Sequence, residues 1–262
     1  MPRKGIESFT RNPYLRAFLS CSFKTGSQAI QGKSMDKSER TFKRLRENRL
    51  IALLAPKDAD QCVRAYEALT PLGVVIEVAF RTPAAAEGIR AILQSHLDGL
   101  VLAGTVMTAA QAEQALDSGA SGVVSADYMP DVVEICSRRD VMCVPGGHGD
   151  VGKQLVQKSR AYGCAFEELR QKHPYQWVHK LFPAVTHDGV YAGLAQAWKG
   201  PFPGLQVVYT GGLTLDNVGD LSRRDPDGIF CASALTVAVD NRDQTAAIAR
   251  DWLGTIHKHE KK

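Results

Sequence analysis

No apolar run in this chain of 262 residues approaches the roughly 18 that a membrane-spanning helix needs, so no membrane partner is expected. No CxxC pair occurs among the six cysteines Cys21, Cys62, Cys136, Cys143, Cys164 and Cys231. The charged beginning is not followed by the apolar stretch of a secretory signal. Reduced, mostly buried thiols in a cytoplasmic protein are therefore expected. No GxGxxG follows the first strand-like segment, which argues against a dinucleotide site. The basic beginning lacks interleaved aromatics or a base-reading motif, which argues against a nucleic-acid partner.

What is present is an ordinary globular composition, 44% apolar and 23% charged. The net charge of +4 hides an asymmetry. Residues 1–50 hold 12 Lys/Arg against 4 Asp/Glu, and the remainder hold 20 against 24, so the body is mildly acidic. Residues 1–34 show no sustained period and read as a loose extension. Residues 38–47 read as a short basic helix leading into the first apolar run, so residues 35–256 are expected to form one domain. A polar tail at 257–262 is expected to follow it.

Within that domain, short apolar runs alternate with segments of helical period. Strands are expected at 50–54, 74–78, 99–103, 122–125, 141–144, 177–181, 206–209 and 228–231. The helices between them carry start signals. Thr108 and Gln111 have capping-box spacing, and Pro83 follows Thr82 at a first helical position. Eight strand–helix units in about 200 residues predict a closed (β/α)8 barrel rather than an open sheet. In such barrels the chemistry sits where the strands end, at their C-terminal rim.

The second strand contains Glu77 within an otherwise apolar run, where a carboxylate is costly unless paired. Arg81 follows four residues later, so in a continuous strand the two share a face and can meet in one pocket. Thr105 offers a hydroxyl after Gly104 at the end of the third strand. The sixth strand holds Lys180. Burial of an amine lowers its pKa, and a neutral amine attacks carbonyls to form a Schiff base. Taken alone, a strand lysine reads as a rim residue; together with Glu77 and Arg81 it reads as a nucleophile. Gly211 and Gly212 after the seventh strand and Ser233 after the eighth sit where barrels commonly cradle phosphate.

These pieces, IEVAFRT at 76–82, GTV at 104–106, VPG at 144–146, KLFPA at 180–184, TGG at 210–212 and Ser-Ala-Leu at 233–235, resemble the class I KDPG/KHG aldolases in type and order. These enzymes act on 2-keto-3-deoxy-6-phosphogluconate (KDPG) and 4-hydroxy-2-oxoglutarate. The resemblance implies that Lys180 is the Schiff-base lysine and Glu77 the general acid/base. It implies that Arg81 and Thr105 hold the pyruvate carboxylate, and that Gly211, Gly212 and Ser233 bind phosphate. It further implies a homotrimer, a small keto-acid substrate, and neither metal nor other cofactor. KDPG would be cleaved to pyruvate and glyceraldehyde 3-phosphate.

The sequence departs from the family's pattern in three places. The segment 147–176 is longer and reads as a lengthened outer helix rather than a lid. The run Gly147-His148-Gly149-Asp150 replaces a Thr-Pro pattern. Ala232 replaces the glycine before the phosphate-site serine, and its methyl would crowd a phosphate oxygen if it faced the mouth. His148 falls on a site-side loop, His179 is expected to pack against a helix, and His96, His173 and His187 lack metal-site spacing. The alternatives are an aldolase for 4-hydroxy-2-oxoglutarate or the galactonate epimer, a phosphate-binding isomerase or synthase with Lys180 as general acid, and a barrel that has lost catalysis and serves as a binding protein.

Overall fold

The computed structural model describes residues 36–258. The expectations for residues 1–34, Cys21 among them, lie outside the described residues, as do 259–262 of the expected tail. The chain opens with α1 (Lys37–Asn48) and β1 (Leu50–Leu54), then α2 (Ala59–Leu69), β2 (Val75–Ala79), α3 (Ala85–Ser95) and β3 (Val101–Gly104). Next come α4 (Ala109–Asp117), β4 (Gly122–Val124), α5 (Pro130–Arg138), β5 (Met142–Val144) and β6 (Gly146–Gly147). Two helices follow, α6 (Val151–Ala161) and α7 (Phe166–Lys172), and then β7 (Val178–Leu181) and a hairpin of β8 (Val185–Thr186) and β9 (Gly189–Val190). The chain ends with α8 (Ala192–Lys199), β10 (Gln206–Thr210), α9 (Leu215–Arg224), β11 (Ile229–Ala232) and α10 (Arg242–His257).

The main sheet runs β5-β4-β3-β2-β1-β11-β10-β7-β6, with every paired neighbour parallel. Its two ends are one strand. β6 continues β5 after Pro145, whose missing N–H interrupts the ladder. The Pro145 carbonyl still accepts the Lys180 N–H at 2.8 Å. Counted this way, the staves number eight and the barrel is the expected (β/α)8.

The seam between β5 and β7 is closed by side chains. β5 pairs with β4 alone, while β7 pairs with β6 and β10. Across the gap the Gln176 carboxamide accepts the Cys143 N–H at 3.2 Å and donates to the Val141 carbonyl at 2.8 Å. The Lys158 amine donates to the carbonyls of Cys143 (2.7 Å) and Gln176 (2.9 Å), and Gln154 donates to Val178 (3.3 Å). Buried backbone groups that lack a ladder partner are thus satisfied, as they must be.

Strand alternation sorts the apolar residues into two cores. Ile51, Val75, Leu102, Val124, Val178 and Val208 fill the barrel interior, which Phe42 and Leu45 of α1 close from below. Ile76, Val78, Ala103, Val207 and Ala232 point the other way, into the layer between strands and helices. The helix starts follow side-chain chemistry. Asp58, Thr108 and Thr214 each accept the N–H three residues on. Gln111 does not return to Thr108; its carboxamide accepts the Met107 N–H and donates to the Phe80 carbonyl. Pro83 lies before α3 rather than at its first position, because residues 82–85 close a turn through Ala85 N–H to the Thr82 carbonyl.

The lengthened segment 147–176 starts at the rim loop and α6, and its later part forms α7 and one 3-10 turn, Pro174–Gln176, that leads directly into the start of β7. This later part therefore belongs to the end of the barrel remote from the C-terminal rim and is no lid. Phe166 fixes it by edge contact with Trp177 at 5.3 Å. α10 carries helix through His257, into the segment read as tail, and the His257 ring nitrogen sits 3.2 Å from the Asn48 carbonyl oxygen.

Candidate active site

Glu77 and Lys180 both point into the barrel, for the same reason. Each is an inward member of a period-two strand, flanked by outward Ile76 and Val78 on β2 and by His179 and Leu181 on β7. Both are buried, at 0% and 3% exposure. Their strands are four steps apart in the sheet order. In a flat sheet that is about 19 Å. Closure of the barrel brings Glu77 Oε1 to 3.8 Å from Lys180 Nζ. That oxygen has no hydrogen-bond partner among the described residues, and its ion-pair partner is the amine.

Two neighbours shape the carboxylate's place. A β-carbon on Gly104 would overlap the Glu77 carboxylate, so the glycine at the end of β3 is what leaves room for the side chain. On the other side, the Cys231 thiol of β11 donates to Glu77 Oε2 at 3.4 Å. Burial, and next the Glu77 charge, push the Cys231 thiol well above its ordinary pKa, so it keeps its proton. Thr210 on β10 is paired in register with Cys231, and its buried hydroxyl faces the Cys231 thiol. The Lys180 amine lies 5.3 Å from the Phe182 ring centre.

Arg81 departs from expectation. β2 ends at Ala79, because the chain turns after the Phe80 N–H bonds back to the Gly104 carbonyl. Arg81 therefore does not share the strand face of Glu77. It is exposed in the turn after β2 and makes no ion pair among the described residues. The ionic partner of Glu77 is Lys180. Thr105 follows β3 with φ 56°, a left-handed conformation costly for a β-branched residue. The Val106 N–H bond to the Val124 carbonyl, 3.1 Å, fixes the chain directly beyond it.

At the same rim, Gly211 and Gly212 take φ 89° and 70°, and a β-carbon on Gly212 would run into the Val185 carbonyl. α9 begins three residues on, and Asn217 donates to the Gly212 carbonyl at 2.9 Å. Ser233 is exposed at the start of a 3-10 turn after β11. The Ala232 methyl packs in the outer layer, away from the mouth, so the alanine does not crowd this rim.

His148 donates from Nε2 to the Pro183 carbonyl at 2.8 Å and faces the Tyr191 ring at 4.4 Å. A carbonyl only accepts, so Nε2 carries the proton. This contact ties the loop after β6 to the loop after β7. His179 lies on the outer face, edge-on to Trp198 of α8 at 4.9 Å, and burial lowers its pKa to about 4. Among the described residues, no group of three or more His, Cys, Asp or Glu converges in a way that could hold a metal. Sequence reasoning missed Cys231 as an inward neighbour of Glu77, although two-residue alternation from Ile229 points to it.

The family model for KDPG and KHG aldolases matches residues 42–250. The chain belongs to this family. Its members are aldolases, that is, carbon–carbon lyases. A 2-dehydro-3-deoxy-phosphogluconate aldolase from Treponema pallidum is 30% identical over 220 residues, 82% of this chain and 97% of the relative. Among solved structures, the 2-keto-3-deoxy-6-phosphogluconate aldolase of Zymomonas mobilis, with 3-phosphoglycerate, aligns with TM-score 0.64 and 22% identity. That alignment covers 82% of this aldolase and 95% of the other chain. The KDPG aldolase of Legionella pneumophila, with pyruvate captured as a covalent carbinolamine, aligns with TM-score 0.64 and 20% identity, over 84% and 98% of the two chains. At such identities the structural matches speak to the barrel fold, which they share.

Proposed function

We propose that the protein is a class I aldolase that cleaves KDPG to pyruvate and glyceraldehyde 3-phosphate through a Schiff base on Lys180. The observation that carries this reading is the buried Lys180–Glu77 pair, 3.8 Å apart at the C-terminal end of the barrel. Lys180 Nζ attacks the C2 carbonyl, and loss of water gives an iminium. Glu77 takes the proton from the C4 hydroxyl as the C3–C4 bond breaks, and the bonding pair moves onto C3 and into the iminium. The aldehyde leaves, Glu77 returns its proton to C3 of the enamine, and water hydrolyses the resulting iminium to pyruvate and free amine. One buried carboxyl that gives and takes a proton beside one buried amine suits this cycle.

Arg81, exposed at the mouth with no counter-ion among the described residues, and Thr105, at the same rim, are assigned to the substrate carboxylate. The Gly211–Gly212 turn and the Ser233 hydroxyl are assigned to the phosphate, which favours KDPG over a non-phosphorylated keto acid. Family membership supports a homotrimer as the working assembly, and light scattering at micromolar concentration should return three times the 28.5 kDa chain mass. Borohydride reduction with pyruvate should add one lactyl-type mass to the peptide bearing Lys180, and Lys180→Ala should abolish it. Labelling at Lys153 or Lys199 instead would overturn the assignment.

A further inference from the structure

We infer that Cys231 is a positioning residue whose S–H donates to Glu77 Oε2 and thereby turns Oε1 toward Lys180. The inference deepens the aldolase reading and rests on Glu77 being its acid/base. A carboxylate on a flexible stem inside a barrel has several rotamers, and proton transfer needs one of them. Three features select it. Gly104, lacking a β-carbon, gives the carboxylate a berth on one wall. The Cys231 thiol, 3.4 Å from Oε2 and 1% exposed, holds the far oxygen. Oε1 is left with Lys180 as its ion-pair partner, at 3.8 Å.

The thiol suits this task better than a bystander would. A buried carboxylate lacking donors is costly, and the Cys231 S–H is the one hydrogen-bond donor that Glu77 has among the described residues. The thiol stays protonated for the reasons already given, so it donates in both protonation states of the carboxyl. Thr210, the register neighbour of Cys231, is 3% exposed and sets its hydroxyl beside the thiol.

The groups around the carboxylate are few, and this sharpens the test. From β2 comes Glu77, from β7 Lys180, from β11 Cys231 and from β10 Thr210, with Gly104 of β3 as a bare wall. The thiol neither accepts a charge nor touches Lys180 in any hydrogen bond, so its removal should leave Schiff-base formation intact. It should slow the proton transfers that Glu77 performs.

Pyruvate exchange of its methyl protons in heavy water isolates such a transfer, because the pyruvate iminium on Lys180 must lose a C3 proton to become the enamine, and the enamine must take one back. Cys231→Ala should slow this exchange about tenfold, the effect of losing one hydrogen bond of about 1.4 kcal/mol. Borohydride trapping of pyruvate on Lys180 should be unchanged in the same variant. Cys231→Ser restores a donor and should exchange within about twofold of wild type. Wild-type exchange in Cys231→Ala, or equal slowing in the folded serine variant, would overturn the positioning role. If the wild-type enzyme does not trap pyruvate at Lys180 at all, the aldolase reading itself fails, and that outcome is distinct from either of these.

Discussion

Glu77 and Lys180 meet at 3.8 Å although three strands, β1, β11 and β10, lie between theirs in the sheet. The contact exists because the sheet closes, so the fold and the reactive pair are one structural fact. Each residue is held inward by neighbours on its own strand that face the helices, Ile76 and Val78 for Glu77, His179 and Leu181 for Lys180.

The division of labour around that pair is testable by kinetics. Glu77→Gln keeps the shape and removes the proton carrier, and it should lower kcat by about 10² to 10⁴, the usual scale of general acid–base catalysis. Arg81→Ala removes an exposed cation that Glu77 does not use, and it should raise KM for the keto acid while leaving kcat within a few fold. Steady-state pyruvate release measures both. Equal, mild losses in the two variants would contradict separate roles for them.

The phosphate assignment has its own test at Ser233. With the Ala232 methyl turned into the outer layer, the rim between the Gly211–Gly212 turn and Ser233 is open to an anion. Ser233→Asp places a like charge beside the phosphate, a repulsion of about 1 to 4 kcal/mol for charges about 4 Å apart near a surface. The Michaelis constant for KDPG should rise about tenfold or more, while cleavage of 4-hydroxy-2-oxoglutarate stays nearly unchanged. Should wild type cleave both substrates equally and the variant be indifferent, the non-phosphorylated keto acid takes the place of KDPG.

How much of this was legible in the sequence depended on period. The eight staves, the inward Lys180 and the outward His179 all follow from alternation in short apolar runs, because a strand allows no other placement. The shared strand face of Glu77 and Arg81 was expected only for a strand continuous through Arg81, and the chain instead turns after Ala79. The hairpin of β8 and β9 was missed because two-residue strands carry no period at all. The seam was hidden for a different reason. Lys158 lies on the buried stripe of α6 with Val151, Gln154 and Leu155, at helical spacing, yet a lysine on a helix ordinarily belongs to water.

That buried lysine gives the last prediction, in stability rather than activity. Lys158 is fully buried, and desolvation lowers its pKa from 10.5 to about 8. Below pH 8 it is charged in both states, and its burial then costs the fold about 3 kcal/mol at 1.36 kcal/mol per unit. As pH rises through 8 the folded protein loses this proton, while the unfolded chain keeps it until about 10.5. Between those values the unfolded state binds more protons, so the share of stability owed to Lys158 increases with pH. Lys158→Met cannot titrate, and comparison with it cancels the alkaline groups other than Cys136 and Cys143, which face the amine. Urea unfolding at pH 7.5, 9 and 10.5 (chosen on the order of that window) should show the difference moving toward wild type by about 3 kcal/mol. A constant difference would mean that the amine stays charged at the seam, held by the Cys143 and Gln176 carbonyls more tightly than burial opposes it.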